Sequence, residues 1–291
     1  MKENDLSILN FRAGKREDGQ YCGQICYAAF KAIADQHHFP SEFPELMQTI
    51  DILTSMLSNS GFYSIIAEKE GKIMGSNFLD ERDSIVGIGP ISVASDEQNT
   101  GLGKQLMKNV IARGLSQKRP GIRLSTAAHH GRSLSLYSKL GFKVQVPLVI
   151  LQGQCVKKIM PHILVRRAEQ ADLNATTLLC EKIHGHHRQQ EVKDAIIAGT
   201  AKIVEREGKI TGYTSGISFF GHAVGETNDD IMALIIDTNE YEGAGFLLPT
   251  TNHDLFIRCL NHGLKVVMSM VHMTMGLYNQ PQGAYLPSIL Y

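Results

Sequence analysis

The residues Gln98-Asn99-Thr100-Gly101-Leu102-Gly103-Lys104 have the types and spacing of a backbone cradle for a pyrophosphate. Glycines at 101 and 103 leave the chain free to turn with its N–H groups pointing inward, and a helix starting there adds roughly half a positive charge at its N-terminus. Anionic phosphates are held at such helix ends. A nucleotide-like cofactor is therefore the first chemistry that these residues suggest.

A cradle needs elements that position it. Upstream, Ile85, Val86, Ile88, Ile91 and Val93 read as a buried strand, which Gly87, Gly89 and Pro90 interrupt as a bulge would. Downstream, Leu102, Leu106, Val110 and Ile111 recur at helical spacing and leave Lys104, Lys108 and Arg113 for the wet face. Strand, glycine turn and helix is an order that positions a phosphate. It is neither the dinucleotide fingerprint, since no G-x-G-x-x-G is present, nor a nucleoside triphosphate loop, since no G-K-[ST] closes it.

The run from Val93 to Gly103 resembles the acetyl-coenzyme A motif V-x-P-x-x-[QR]-x-x-G-x-[GA] of the GNAT N-acetyltransferase superfamily, with Ser95 where proline is usual. A second element strengthens the resemblance: Leu136-Tyr137-Ser138-Lys139-Leu140-Gly141-Phe142 is similar to the family's L-Y-x-K-x-G-F signature. Leu134, Leu136 and Leu140 would anchor a short helix, Gly141 would cap it and Phe142 would begin the next strand.

The resemblance implies acetyl-CoA as the acetyl donor. Backbone amides of Gln98, Asn99, Thr100, Gly101, Leu102, Gly103 and Lys104 would hold its pyrophosphate, and the strand at Ile91, Ser92 and Val93 would pair with the pantetheine arm. Tyr137 would be the general acid for the departing thiolate, and His130 stands where the family often has an asparagine touching the cofactor. A phenol with a pKa of about 10 can protonate a thiolate of about 8–9 when both are desolvated. The family frequently uses a strand glutamate as base, yet no carboxylate lies between Ile85 and Val93. Asp80, Glu81 and Asp83 are the nearest acids, either as the base or as solvated loop groups.

At 291 residues and 43% apolar content, the chain is long enough for two hydrophobic cores. Its 29 basic and 29 acidic residues cancel, so no bulk charge draws it to nucleic acid or an anionic membrane. Without a signal-like start or a run of eighteen apolar residues, the expectation is a soluble cytoplasmic protein. Five scattered cysteines argue against a disulfide framework. No metal is expected: Cys22 and Cys26 lack further ligands, and His184, His186 and His187 read as a polar helix end. Met268, Met270, Met273 and Met275 read as alternate core positions of a strand.

The chain also repeats itself. Ile8 to Ala13 is echoed by Ile163 to Ala168, the hairpin Glu68 to Gly75 by Glu205 to Gly212, and Gly141 to Val144 by Gly263 to Val266, all in the same order. Two copies of one fold follow, at 1–157 and 158–291, with a seam near Lys157 to Pro161. With the resemblance, this implies an α/β (α+β) protein of two tandem GNAT-like domains, each a mixed, mostly antiparallel sheet flanked by helices. For the first copy the pattern predicts strands at 6–12, 62–69, 72–80, 84–94, 121–127 and from 142, and helices at 18–36, 44–58, 101–117 and 132–140.

The second copy has lost Q-x-x-G-x-G, has Cys259 where Tyr137 stands, and has Asn252 opposite His130. Its run Phe219 to Asp230 is read either as a ligand loop or as a turn with a helix cap. The functional expectation is acetyl transfer from acetyl-CoA to a primary amine on an unidentified small molecule or peptide. A non-catalytic CoA-binding sensor is the alternative. Oligomeric state is not legible, and the cradle does not choose the acceptor.

Overall fold

The computed structural model describes residues 9–157 and 160–290. The seam expected near 157–161 and the strand expected from residue 6 therefore lie partly outside the described residues.

The first half runs β1 (Leu9–Ala13), α1 (Gly19–His37), α2 (Leu46–Ser58), β2 (Phe62–Lys69), β3 (Lys72–Asp80), β4 (Val86–Ile88), β5 (Ser92–Val93), α3 (Leu102–Ser116), β6 (Gly121–Ala127), α4 (Gly131–Lys139) and β7 (Lys143–Gln152). The second runs β8 (Leu164–Arg167), α5 (Leu173–His184), α6 (Gln189–Ala198), β9 (Lys202–Arg206), β10 (Lys209–Thr214), β11 (Ala223–Gly225), α7 (Asn228–Asp237), β12 (Phe246–Pro249), α8 (His253–Asn261), β13 (Lys265–Gly276) and β14 (Ala284–Leu286). The expected strand at 84–94 is two strands, because the Gly89-Pro90 step leaves the ladder and β5 pairs with β3.

The repeat is visible in side chains. Arg12 binds Asp18 at 2.7 Å and Glu68 at 2.6 Å, and Arg166 binds Asp172 and Glu205, each at 2.8 Å. Both hairpins turn through two left-handed residues, Glu70 and Gly71 in one and Glu207 and Gly208 in the other. His130 and Asn252 precede their helices with nearly the same backbone, φ −83°, ψ 73° against φ −88°, ψ 72°.

The sheets are mostly antiparallel and flanked by helices, but the halves do not each close a sheet of their own. A nine-stranded sheet runs β1-β2-β3-β4-β6-β13-β7-β12, with β5 beside β3, and a five-stranded sheet runs β14-β11-β10-β9-β8. β7, the last strand of the first half, and β13 of the second have changed places. β13 pairs antiparallel with β6 of the first half, β7 pairs with β12 of the second, and the two exchanged strands pair with each other. The cores follow: Met273 packs under α3 of the first half, while Val149 and Leu151 pack in the core of the second. Met268 and Met270 face one side of the sheet, with Ala127, Val146 and Leu148, and Met273 faces the other, with α3, so all three are buried despite their mixed parity because both faces are covered.

α3 buries Leu102, Leu106, Met107 and Val110 against the sheet, at helical spacing. Beyond β14 the chain crosses back to the first half. A Cβ at Gly87 would lie 1.8 Å from the Leu290 carbonyl oxygen, so only glycine lets the C-terminal segment approach β4 this closely.

Candidate active site

A single parallel pairing creates the site. β4 pairs with β6 only at Val86–Ile122 and Gly87–Arg123. After that β5 bends to β3, while β6 continues with β13, and the sheet opens into a V. The cavity in this opening is about 370 Å³, with Ile88 to Val93 on one wall and Leu124 to Ala127 on the other. The Ala94 N–H donates to the Met74 carbonyl at 2.8 Å. Antiparallel alternation therefore turns the Val93 N–H away from β3 and toward the cleft.

The glycine turn lies at the mouth of this opening. Asn99 and Gly101 take left-handed backbones, φ 65° and 94°, and Gly101 leads directly into α3. The space over Gly101 is open, since a Cβ there would meet nothing within 4 Å. The first turn of α3 holds no acidic residue, and the N–H groups at 103 and 104 precede any intrahelical partner. Gln98, Asn99, Gly101, Gly103 and Lys104 line the cavity, as do Ile91, Ser92, Val93, His130 and Tyr137. Two expected residues differ. The Leu102 side chain is buried in the core, and the Thr100 hydroxyl donates to the Glu97 carbonyl at 2.7 Å, so each can offer only its backbone. Arg132 of α4 donates to Gln98 at 3.1 Å and ties the turn to the opposite wall.

α4 carries three polar groups in a row. Ser133 Oγ lies 2.8 Å from His130 Nδ1, and Tyr137 follows one helical turn on. Burial, with Arg132 nearby, lowers the His130 pKa to about 4, so the imidazole is neutral. Burial raises the Tyr137 pKa, so the phenol keeps its proton at neutral pH and remains a donor. Ser133 carried no family signature, and only the three- and four-residue spacing to its neighbours pointed to it.

The acids before β4 face elsewhere. Asp80 pairs with Arg82 at 2.6 Å and Glu81 with Arg113 at 2.9 Å. Asp83 accepts from the N–H groups of Gln190 and Glu191, at 3.2 and 3.3 Å, and so caps α6 of the second half. Two carboxylates do line the cleft, Glu97, which Lys69 pairs at 3.0 Å, and Glu42, in the loop between α1 and α2. Burial raises the Glu42 pKa above the usual carboxylate range. Nothing in the sequence singled out Glu42, because its position follows from packing of the α1–α2 turn over the sheet.

In the second half the corresponding places are filled from within. α7 begins at a capping box in which Asp230 accepts from the Thr227 N–H at 2.8 Å. Asp229 and Asp230 also bind Arg258 and Arg206 there, at 2.7 and 2.9 Å. The helix end that would hold a phosphate thus carries the chain's own carboxylates. β14 pairs with β11 and lies against β12, where the first half has its opening. Cys259 is a core thiol 3.8 Å from the Met232 sulfur, with its pKa pushed up to about 12 by burial, and no nucleophile. Asn252 caps α8 by accepting from the Leu255 N–H at 3.2 Å.

Both readings of the run 219–230 have a structural counterpart, with Phe219 and Phe220 on the first half's cleft and Thr227 capping α7. The histidines after α5 are not a solvated end: His186 is buried, His184 packs on Tyr285 at 5.2 Å, and burial pushes the His186 pKa down to about 3. Among the described residues no group of three or more metal-type side chains is assembled, and no helix is long and apolar enough to cross a membrane.

Comparison with known proteins agrees with this geometry. The full fold matches a proposed acetyltransferase of Pyrococcus horikoshii with a TM-score of 0.74, at 15% identity over 98% of this chain and 96% of that one. A GCN5-related N-acetyltransferase of Sphaerobacter thermophilus matches with a TM-score of 0.60, at 12% identity over 94% and 96%. At these identities the likeness concerns the fold. No curated protein sequence matches the chain. A family model described as an acetyltransferase (GNAT) domain matches residues 24–156, which span the opened sheet, the glycine turn and α4. Residues 24–156 therefore carry a GNAT acetyltransferase domain.

Proposed function

We propose that the protein transfers an acetyl group from acetyl-CoA to a primary amine, and that residues 1–157 are the catalytic copy and 158–291 a second GNAT-like copy without the cofactor motif. The observation that carries this reading is one cavity bordered both by the open helix end at Gly101–Lys104 and by Tyr137. The open space over Gly101 suits a pyrophosphate, and the inward Val93 N–H suits the edge of a pantetheine arm.

Bound acetyl-CoA supplies the thioester that is attacked. Backbone N–H groups at 103 and 104 and the α3 dipole would offset the phosphate charge. The Val93 N–H would polarise the thioester carbonyl in a water-poor cleft, where such a donor counts for more than in water. Tyr137 would give its proton to the departing sulfur and be restored through Ser133. Neutral His130 can accept a hydrogen bond from Ser133 and hold that hydroxyl in place.

A mass-resolved transfer assay with acetyl-CoA and pooled amines tests the reading, run beside Tyr137→Phe. The expected result is a singly acetylated product whose rate falls about 10²-fold or more in the variant, the range for loss of general acid catalysis. Acetyl-CoA affinity should stay within about twofold. Tight acetyl-CoA binding with no product from any amine would favour a sensor instead.

A further inference from the structure

The cleft has a second, aromatic wall apart from the glycine turn. Phe30 of α1 and Phe43 of the α1–α2 loop meet edge to face at 4.8 Å. Phe43 reaches Phe220 of the second half at 6.3 Å, and Phe220 packs on Phe219 at 5.4 Å. An aromatic wall therefore crosses from one half to the other. The C-terminal segment completes it, since the Ile289 N–H donates to the Phe219 carbonyl at 2.9 Å and Ile289 and Leu290 line the same cavity.

The charges in this cavity are unevenly committed. Of the charged side chains that line it, Glu97 is paired with Lys69 at 3.0 Å, Arg132 holds Gln98, and Lys104 sits at the glycine turn. Glu42 is the acid that no basic side chain answers among the described residues. A carboxylate placed in apolar surroundings is stabilised by a cation brought to it.

Resting on the acetyltransferase reading above, we propose that the acceptor is a singly charged primary amine on an aromatic or branched aliphatic body. The body packs between Phe30, Phe43 and Phe220, and Glu42 receives the ammonium. One ammonium proton passes to Glu42 before the nitrogen attacks the thioester carbon. The C–N bond forms as the C–S bond breaks. The nitrogen then loses a second proton, which returns to the Tyr137 phenolate left when its proton went to sulfur. Polyamines and aminoglycosides fit poorly, because their further charges would lie on the aromatic wall without partners.

The experiment compares phenethylamine and tryptamine with spermidine and an aminoglycoside, using the full chain. Acetylated product is read by mass, and binding of each amine to CoA-loaded protein is read separately by calorimetry. The arylalkyl amines are expected to show kcat/KM at least tenfold above the polycations. Phe220→Ser and Ile289→Ser should each raise their KM about tenfold, the scale of lost apolar pocket contacts. Acetyl-CoA affinity, unchanged in both variants, would show that they remain folded.

Equal or better use of spermidine or the aminoglycoside would overturn the proposal and leave acetyl transfer standing. So would failure of the arylalkyl amines to bind, or an unchanged KM in folded variants. Saturable arylalkyl amine binding that is lost in Phe220→Ser, with no acetylation of any amine, would support the ligand class and overturn the acetyltransferase reading instead.

Discussion

Burial shifts the protonation of three side chains on the cleft, and the signs differ in a useful way. Tyr137 is held protonated, His130 is held neutral down to about pH 4, and Glu42 is pushed toward its acid form. An acceptor arriving as an ammonium needs Glu42 ionised, so activity should rise with pH through the Glu42 ionisation, above the usual carboxylate range. That acidic limb is expected to vanish in Glu42→Gln. It should persist in His130→Asn, because a neutral imidazole contributes no ionisation between pH 5 and 8. Rate profiles of the three proteins check both statements. Tyr137 was readable from its signature, whereas Glu42 was not, since its neighbours in sequence are loop residues and its neighbours in space come from both halves.

Among the elements, most helices and strands were legible because apolar spacing alone dictates them. β2, β3 and β6 have the bounds expected of them, and α3 differs by one residue at each end. The glycine turn is the element whose geometry is most exacting. Gly101→Val would force a branched side chain into φ 94° and into the open space over the turn. A cost of about 1–2 kcal/mol in stability is expected from the left-handed backbone. Acetyl-CoA affinity should fall at least tenfold, and calorimetry beside thermal unfolding separates the two losses. In the second half, Asp230→Asn should weaken the α7 cap, costing about 1 kcal/mol without creating an acetyl-CoA site, because β14 still fills the opening. Urea unfolding and acetyl-CoA titration would check this.

The whole molecule unfolds as one unit if the exchanged strands matter as the sheet order implies. Glu191 of α6 is buried with Arg188 and accepts from His222 at 2.9 Å, and the N-terminus of the same helix is capped by Asp83 from the first half. Glu191→Gln would leave Arg188 buried with its carboxylate gone. A loss of about 3–5 kcal/mol is expected, with both halves melting together in one calorimetric transition. Acid should also destabilise the fold. Burial lowers His130 to about 4 and His186 and His272 to about 3. The unfolded chain binds protons at these sites first, as pH falls through about 6.5. Stability therefore rises with pH across that window, by at most about 1.4 kcal/mol per pH unit for each histidine. Asp18 and Asp172, lowered by Arg12 and Arg166, add a loss of the same sign only below about pH 4. Urea midpoints at pH 7, 6 and 5 should fall in order, and His272→Gln should flatten that slope.

By itself the sequence determined the things that depend on neighbours along the chain: the elements, the glycine turn, the Tyr137 signature, the repeat, and the loss of the cofactor motif from the second copy. Local backbone geometry and apolar periodicity carry that information within a few turns of helix or strand. Tertiary structure alone decided that β7 and β13 change places, because either strand offers the same apolar alternation to either partner. It also decided that Phe220 and Ile289, more than a hundred residues beyond the cradle, share its cavity with Glu42. Contacts between residues so far apart are selected by the packing of whole sheets and helices, and no short stretch of sequence records that choice.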